Sequence, residues 1–415
     1  MKIVLLSTYF SPEISSVTHL FDDLTGDLAL AGHEVTVVCN RANRGLTEEE
    51  RAAYENRLDE TLPNGVRILR VGPKGAEKGS LIRRGLRFLS ATAAICRAAA
   101  KLSPDVYLVN SMPPYLGLAG ARLAHKKPTL YILQDLFPDS VIQMGKLPKR
   151  GPVTGILRAM ERKSLRSNTR LVTISDDMKK TLVNKGVMPE RIDVIPNWAD
   201  AETISPLPRK ENALFHELGL DPVGFYAVYA GALGVLQTPD VLLNAAKLVK
   251  QQNPAVRFAV FGSGGLADAL AARIAAESIT NVSLFPAAPV SRVREVYNIG
   301  DVSLVTLKKN ATSIAMPSKT WTAMAAGRPV IAACDKHSEY ERRVLEASCT
   351  AVLPEDAKML ADAVLKAYEQ RDTLDASGEK ARAYVKEKLG RKASTAAYER
   401  ALVKTAGFAV SPKEE

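Results

Sequence analysis

Short runs of apolar, often β-branched residues alternate with longer stretches of helical periodicity throughout this 415-residue chain. That alternation is typical of parallel strands joined by crossover helices, and it predicts an α/β fold with doubly wound sheets. Two series of strands are predicted in succession, at residues 2–7, 34–39, 66–71, 106–110, 129–133 and 171–174, then 225–229, 258–261, 282–285, 302–307, 330–333 and 350–352. Ligands of such folds bind beyond the carboxyl ends of the strands, so the loops there are where chemistry is expected.

The composition changes between the two series of strands. The segment Ile195-Pro-Asn-Trp-Ala-Asp200 and the nearby Pro206 and Pro208 are typical of an interdomain hinge. A chain of this length also exceeds the size at which a single core keeps growing. We therefore expect two Rossmann-like domains, residues 1–200 and 201–390, that face each other across a cleft. Residues 391–415 are predicted to form a C-terminal helix that returns to the N-terminal domain, followed by a flexible tail.

Positive charge is concentrated in the N-terminal half of a chain whose net charge is +11. Seven basic residues and one acid lie between positions 74 and 101, and eight basic residues and one acid lie between 146 and 170. A helix near residue 81 would place Arg83, Arg84 and Arg87 beside apolar residues, so an anionic membrane surface is one predicted partner. A solvated helix packed on a sheet is the alternative. The clusters lack interleaved aromatic residues, which argues against nucleic acid.

The sequence shows no sign of export or of a membrane span. Its first residues read as a strand rather than as a secretory signal, and no apolar run approaches the roughly 18 to 20 residues that a span needs. Four cysteines stand singly without zinc spacing and are expected to be reduced: Cys39, Cys96, Cys334 and Cys349. We expect a cytoplasmic protein that is at most peripheral at the inner face of the membrane.

The segment from Ala315 to Ala332, AMPSKTWTAMAAGRPVIA, joins a polar loop to a small-residue helix and then to a strand. Ser318 can cap the helix, and free backbone N–H groups at a helix start attract anions. Lys319 adds a full positive charge at the same place, and Gly327 suits the end of the helix. The segment therefore predicts a phosphate site, with an ordinary helix-to-strand corner as the alternative.

Glycines follow two strands of the second series. Gly262 and Gly264 belong to GSGGLA, which formally fits a dinucleotide fingerprint, but the next strand lacks the acid that would hold a ribose. NAD-linked chemistry is therefore disfavoured. Gly231 and Gly234 follow the first strand of that series. We interpret all four as positions where the backbone approaches a nucleotide or simply turns.

Six segments carry a family resemblance, in collinear order over about residues 1–370. They are YFSPE, LQDLFPDSVIQMG, VTISDDMKKTL, VIPNWAD, YAGALG and PSKTWTAMAAGRPVIA. Together they resemble retaining nucleotide-sugar glycosyltransferases of family 4, in the subgroup that builds bacterial O-antigen, capsule and colanic-acid-type polysaccharides. The resemblance implies a GT-B fold with an acceptor-side N-terminal domain and a nucleotide-sugar-binding C-terminal domain. It also implies transfer without a cofactor or an essential metal, uridine as the common base, and often a polyprenyl-diphosphate-linked acceptor.

The chain departs from the family pattern where cations are expected. The Arg and Lys that usually follow the first strand of the second domain correspond to Ala232 and Leu236. Breaking a sugar–diphosphate bond develops negative charge on the leaving group, which needs cationic side chains or helix starts when no metal is present. The resemblance therefore moves this role to Lys319, or to Lys308 and Lys309, or leaves the diphosphate to backbone dipoles.

A second departure concerns the paired carboxylates of the family, which correspond to Ile314 and Thr322. Thr322 can still hydrogen-bond a ribose hydroxyl, more weakly than a carboxylate would. A helix residue packed beside Trp321 is the alternative for this threonine. Glu339 is a further candidate for a ribose or sugar contact, although a solvated loop acid is the alternative there.

The resemblance places acceptor-side residues in two loops of the N-terminal domain. The first loop carries Glu13, which would orient the acceptor, with a turn-forming surface acid as the alternative. The same loop carries Ser15 and Ser16, which replace a glycine pair near the donor phosphates. In the second loop, Gln134 and Asp135 stand near the position of a family histidine. A carboxylate beyond a parallel strand can accept a hydroxyl proton, so Asp135 is the main candidate for acceptor activation or positioning. Structural capping of the next loop is its alternative.

The sequence therefore predicts a retaining glycosyltransferase that moves a hexose or acetamido sugar from a nucleoside diphosphate, with UDP as the expected nucleotide. The expected acceptor is lipid-linked or a saccharide in cell-surface polysaccharide synthesis. Two alternatives stay open. One is another GT-B-like enzyme, such as a nucleotide-sugar 2-epimerase or a phosphorylase. The other is a non-catalytic nucleotide-sugar-binding protein that has lost its acids.

Overall fold

The structure, a computed structural model, describes residues 1–13, 17–74 and 81–408, with side chains at all of these except 81–84. It divides the chain into two compact units. The first comprises Met1–Pro196 together with the residues from Lys392 onward, and the second comprises Asn197–Arg391. The boundary falls in the proline-containing segment that the sequence marks as a hinge.

The first unit is built on one mixed sheet. Its strands are β1 (Lys2–Leu6), β2 (Glu34–Asn40), β3 (Asp59–Thr61), β4 (Arg67–Val71), β5 (Val106–Asn110), β6 (Thr129–Leu133), β7 (Arg170–Thr173) and β8 (Ile192–Val194). They lie in the order β3-β4-β2-β1-β5-β6-β7-β8, and every neighbouring pair is parallel except β3 with β4. The central strands are buried on both faces, which is why they read as continuous apolar runs.

Helices connect these strands, and two of them begin at a side-chain cap. They are α1 (Thr18–Leu30), α2 (Glu48–Tyr54), α3 (Leu81–Ala99), α4 (Tyr115–Leu123), α5 (Asp139–Gln143), α6 (Pro152–Ser167) and α7 (Asp176–Asn184). Thr47 and Glu50 form a capping box at α2, and Ser175 caps α7 through the backbone N–H of Met178. Helix α4 packs against both α3 and α6.

The second unit contains a fully parallel sheet. Its strands are β9 (Phe225–Ala230), β10 (Val256–Phe261), β11 (Val282–Phe285), β12 (Val302–Thr306), β13 (Val330–Ala333) and β14 (Thr350–Val352), in the order β11-β10-β9-β12-β13-β14. The helices of this unit are α8 (Leu214–Glu217), α9 (Pro239–Gln252), α10 (Ala267–Ala276), α11 (Val293–Tyr297), α12 (Lys319–Ala325), α13 (Glu339–Glu346), α14 (Ala357–Glu369) and α15 (Leu374–Lys388). The strand order is that of a doubly wound fold, as predicted.

Alternate residues of β9 point to different buried clusters of the second unit. Ala227 and Tyr229 belong to the cluster that contains residues of α9 and α14, whereas Tyr226 and Val228 belong to the cluster that contains residues of α8 and α11. Covering both faces of the sheet stabilises the unit, since burying one large apolar side chain contributes about 1.5–3 kcal/mol. The alternation also places the Tyr229 side chain on the face of β9 that packs with α9 and α14.

A last helix, α16 (Arg391–Ala406), belongs to the first unit for nearly all its length. His33 links it to the start of the chain, because its Nε2 lies 2.8 Å from Glu399 Oε1 and its Nδ1 lies 3.1 Å from the amino group of Met1. Strands β3 and β8 were not predicted. Each has only three residues, and β3 is the polar sequence Asp-Glu-Thr at the sheet edge, so neither carries an apolar run.

Candidate active site

Lys319 opens α12, and its ammonium group lies against the end of β9. Nζ donates a hydrogen bond to the hydroxyl of Tyr229 at 2.7 Å and lies 4.1 Å from the centre of that ring. The Tyr229 hydroxyl donates in turn to the backbone carbonyl oxygen of Ala232 at 2.7 Å. One hydrogen-bonded chain thus holds the charge of Lys319 at the loop after β9. This is the loop in which Ala232 stands where the resemblance expects an arginine.

The surroundings of Lys319 disfavour its charged form. Burial lowers the pKa of Lys319 to about 7, because the ammonium group loses water. Within the described ranges, no carboxylate forms an ion pair with this lysine. An anion that bound beside Nζ would supply the counter-charge and favour the ammonium form.

The glycines predicted beside a nucleotide bring two loops of the second unit together. A Cβ added to Gly262 would lie 2.3 Å from the carbonyl oxygen of Gly231, and one added to Gly264 would lie 2.5 Å from that of Leu233. The backbone N–H of Leu233 also donates to the carbonyl of Ser263 at 2.9 Å. Close packing of the loop after β9 on the loop after β10 is therefore a structural reason for Gly262 and Gly264.

Gly231 has a second role in the geometry around Lys319. Its φ of +147° is in the region that favours glycine, and a Cβ there would lie 3.0 Å from Lys319 Nζ. The missing side chain therefore leaves room above the ammonium group. Gly234 lies further along the same loop, where an added Cβ would lie 3.0 Å from Gln237 Oε1. Contact of these glycines with a nucleotide stays a prediction.

Ser318 does not cap α12, so that prediction is wrong. Its φ of −61° and ψ of −26° are helical, and its side chain makes no capping hydrogen bond. An N-cap needs an extended backbone that turns its oxygen toward the free N–H groups. Thr322 donates its hydroxyl to the Ser318 carbonyl at 3.3 Å, and its contact with a ribose stays a prediction. Gly327 ends the helix with a φ of +72°, as predicted.

Glu339 is neither solvated nor in a loop. It is the first residue of α13, only 2% of it is exposed, and its Oε1 lies 2.6 Å from Arg343 Nη2 one turn along the helix. The alternative of a solvated acid is wrong, because the helix begins at this residue and buries the carboxylate. The proposed contact with a ribose or a sugar would compete with the Arg343 ion pair.

Asp335 positions the loop that leads into α12, although the sequence analysis did not single it out. Its Oδ1 accepts the backbone N–H of Asn310 and its Oδ2 accepts the hydroxyl of Thr312, both at 2.8 Å. These bonds fix the chain between β12 and Lys319. The sequence feature that could have identified Asp335 is its position, two residues beyond the buried strand β13. The neighbouring Lys308 donates its backbone N–H to the Leu236 carbonyl at 2.8 Å.

In the first unit, Glu13 is a buried anchor. Only 3% of it is exposed, and its Oε1 accepts the backbone N–H groups of Asn43 and Arg44 at 2.9 and 2.8 Å. A turn-forming surface acid is therefore the wrong description, and the carboxylate holds a neighbouring loop. The predicted role of Glu13 in orienting an acceptor would have to coexist with these bonds. Ser15 and Ser16 lie outside the described residues.

Asp135 lines a pocket within the first unit. The pocket encloses about 390 Å³, its open mouth included, and its polar lining residues are Ser111, Tyr131, Asp135, Glu161 and Ser164. The hydroxyl of Ser140 lies 3.4 Å from Asp135 Oδ2, and burial raises the pKa of Asp135. Gln134 is buried, and its backbone N–H donates to Ser111 Oγ at 3.1 Å. A carboxyl with a raised pKa suits proton transfer, but its role with an acceptor stays a prediction.

The basic helices expose apolar side chains. Leu86 and Leu89 on α3 and Val153 and Ile156 on α6 are all exposed. Arg87 does not face outward freely, because its guanidinium donates to the backbone carbonyls of Pro73 and Lys74 at 3.1 and 3.0 Å. The side chains of Arg83 and Arg84 lie outside the described residues. None of the helices in the described part of the chain is long and apolar enough to cross a bilayer.

Two family models match most of the chain. One is described as a glycosyl transferase 4-like domain and matches residues 19–198, and the other is described as glycosyl transferases group 1 and matches residues 224–370.

Among the residues that the structure describes, no group of three or more His, Cys, Asp or Glu side chains could hold a metal ion.

Sequence relatives and a solved structure agree with these matches. The chain is 29% identical over 244 residues to a Pseudomonas aeruginosa protein named as the glycosyltransferase WbjE, across 58% of this chain and 60% of that one. It is 25% identical over 350 residues to WcaI of Escherichia coli K12, named for colanic acid biosynthesis, across 82% and 84% of the two chains. Anabaena HepE in complex with UDP-glucose superposes with a TM-score of 0.73 at 16% identity, covering 97% of this chain and 100% of that chain.

Proposed function

Because the chain belongs to the group 1 glycosyltransferases and has the GT-B fold, we propose that it transfers a sugar from a nucleoside diphosphate donor to a lipid-linked or saccharide acceptor. The product would be a cell-surface polysaccharide such as O-antigen, capsule or a colanic-acid-type polymer. The observation that carries the proposal is the Lys319 ammonium group, held at the loop after β9 with no acidic partner among the described residues.

The proposed role of Lys319 is to stabilise the leaving nucleoside diphosphate. Negative charge grows on the diphosphate as the bond to the anomeric carbon breaks. A fixed cation in a partly dry site stabilises that charge more strongly than water does, because the local dielectric is lower. Lys319 then supplies from a side chain what a metal ion supplies in other transferases, so the proposal includes transfer without an essential metal or cofactor. Retention at the anomeric carbon is supported by the family resemblance.

The proposed donor is a UDP-sugar carrying a hexose or an acetamido sugar. Support comes from HepE, whose structure is a complex with UDP-glucose, and from the match of the second unit to the group 1 model. Thr322 is the proposed ribose contact. Its hydroxyl proton is donated to the Ser318 carbonyl, so its oxygen is left to accept a hydrogen bond from the ribose.

Asp135 is the proposed acceptor-side carboxylate. It lies two residues beyond β6, at the carboxyl edge where ligands of doubly wound sheets bind. Its raised pKa makes it a better proton acceptor than an exposed aspartate would be. Asp135 would therefore contact the acceptor hydroxyl, and Lys319 would contact the donor diphosphate.

Exposed residues of α3 and α6 are the proposed contacts with anionic lipid. They are the apolar Leu86, Leu89, Val153 and Ile156 and the basic Arg97, Arg158, Arg162 and Arg166. Exposed apolar side chains and arginines on the same helices suit the interface of an anionic bilayer. Co-sedimentation with phosphatidylglycerol vesicles is expected, with a marked loss in the Val153→Ser, Ile156→Ser double variant. Equal binding to phosphatidylcholine vesicles would contradict the proposed contact with anionic lipid.

The experiment that tests the function is a donor panel. Purified protein is incubated with UDP-, GDP- and dTDP-sugars in the presence of a chelator, and released nucleotide is measured with and without polyprenyl-diphosphate-linked saccharides. We expect slow hydrolysis of one UDP-sugar and faster release with an acceptor. Interconversion of the sugar without nucleotide release would identify an epimerase instead. Binding of donor without any release or transfer would overturn the proposal.

A further inference from the structure

The pocket that contains Asp135 is a narrow slot between β6 and α6, and we call it the β6–α6 slot. Tyr131, Leu133 and Asp135 line it from the strand side, at alternating positions, and Met160 and Glu161 line it from the helix. Its inner part has room for a group about the size of a water molecule. All of its lining residues belong to the first unit.

Tyr131 presents an unpartnered hydroxyl to this slot. Only 4% of the residue is exposed, and its ring extends so deeply between the helices that a Cβ on Gly117 of α4 would lie 2.7 Å from its oxygen. No residue that the structure describes forms a hydrogen bond with the hydroxyl. An occupant of the slot that hydrogen-bonds this hydroxyl would be stabilised by that bond.

Carboxylates outnumber cations around the slot. Lys185 pairs with Asp139 at 2.6 Å and also with Glu161, while Asp135 has only the distant hydroxyl of Ser140. Burial raises the pKa of Asp135, Glu161 and Tyr131, and the two carboxylates raise the pKa of Tyr131 further. Arg158 is a further cation that acts on Glu161, but it is exposed on the outer side of α6. A basic chain thus contains an acidic interior slot.

We propose that the β6–α6 slot binds a primary ammonium group. Such a group has three hydrogen-bond donors and one positive charge. The Asp135 and Glu161 carboxylates and the Tyr131 hydroxyl offer acceptors that match those donors, and the excess of carboxylates supplies the opposite charge. The narrow interior admits the ammonium head, and the open mouth leaves space for whatever carries it.

The ammonium group could come from two sources of the same chemistry. One is a small free amine. The other is the amino group of an amino sugar, whose ring would stay at the mouth of the slot. The second source rests on the proposed function, because it makes the sugar an acceptor, whereas binding of a free amine does not.

The test uses the full chain and needs no transfer activity. Thermal unfolding is followed in ammonium, methylammonium, potassium and sodium chloride at equal ionic strength, and glucosamine is compared with glucose by calorimetry. A ligand that binds only the folded chain raises its midpoint. We expect ammonium and methylammonium to raise the midpoint above that in sodium chloride, with potassium without effect because it donates no hydrogen bonds. Binding of glucosamine but not glucose identifies the sugar-borne source, and an effect of small amines alone identifies the free one.

Variants show whether the effect belongs to the slot. Tyr131→Phe keeps the ring and should weaken amine binding about tenfold, since one hydrogen bond to a charged group is lost. Glu161→Gln should weaken it by at least as much. Glu190→Gln, a charge change at an exposed residue outside the slot, is the control and should bind as the parent does. No amine effect, an equal effect of potassium, or an effect that persists in Tyr131→Phe overturns the proposal.

Discussion

The two units hold partly buried charge of opposite sign. In the second unit the Lys319 ammonium group rests on Tyr229 without an acidic partner among the described residues. In the first unit the three carboxylates of Asp135, Glu161 and Asp139 lie near two cations, Lys185 and Arg158. Other half-buried charges are paired closely, as in the Arg209–Asp301 bridge at 2.6 Å. Lys319 and Asp135 have no ion-pair partner among the described residues, and this difference indicates that both are arranged for ligands, because a partly buried charge without a counter-charge destabilises a fold.

The largest expected effect is on the cationic side of this comparison. Lys319→Met keeps the length of the side chain and removes its charge, so we expect transfer efficiency to fall about 100- to 1000-fold, as for loss of one oxyanion donor. Lys309→Met, an exposed lysine near the same loops, is the matched control and should stay within about threefold of the parent. The measurement is kcat/KM for the donor. A Lys309 effect that equals the Lys319 effect would move the diphosphate cation to Lys309.

A smaller effect is expected on the acidic side. Asp135→Asn removes the proton acceptor but keeps the shape of the side chain, so kcat/KM for the acceptor should fall about 100-fold. Donor hydrolysis in the absence of acceptor should stay near the parent value, because Asp135 belongs to the other unit. Comparing the rate of transfer with the rate of donor hydrolysis distinguishes a role toward the acceptor from a role toward the donor. If Asp135→Asn lowers hydrolysis and transfer equally, the assignment of Asp135 to the acceptor is wrong.

The smallest effect is a gain in stability. Between pH 7 and 10.5 the unfolded chain binds more protons at Lys319 than the folded one, so this lysine costs most stability below pH 7 and least above 10.5. Lys319→Met should therefore stabilise the fold by about 1 kcal/mol or more at pH 6 and by less at pH 9. Asp135 has a raised pKa, so the folded chain binds more protons there and loses stability as pH rises.

Asp135→Asn should accordingly stabilise the fold more at pH 8 than at pH 4. Chemical denaturation at these pH values measures both gains. A loss of stability in both variants would mean that the two charges support the fold. It would also remove the contrast with the paired charges elsewhere in the chain.

Strands were predictable from the sequence because parallel strands buried on both faces must be apolar throughout, as in β5 and β6. The three-residue strands β3 and β8 escaped prediction because pairing with a neighbour defines them. The position of Lys319 at a helix start was also predictable from its motif. Its contact with Tyr229, 90 residues away, was not, because side-chain direction depends on how β9 and α12 pack.

Carboxylates were the least predictable part of the candidate site. Glu13 and Glu339 both follow turn-like sequences, yet both are buried, because loop 43–44 folds over the first and α13 begins at the second. Tyr131 on β6 and Glu161 on α6 line the same slot, and no local sequence pattern predicts that they lie near each other. The alternation of Tyr131, Leu133 and Asp135 was the one signal that they share a face.

The most direct test of the central claim is a calorimetric titration of UDP at pH 8, in buffers with different ionisation enthalpies. At that pH Lys319 is mostly neutral in the free protein, and a bound diphosphate should restore its ammonium form. We predict uptake approaching about one proton per UDP in the parent and clearly less, with weaker binding, in Lys319→Met. Equal proton uptake and equal affinity in the two proteins would contradict the assignment of Lys319 to the donor diphosphate.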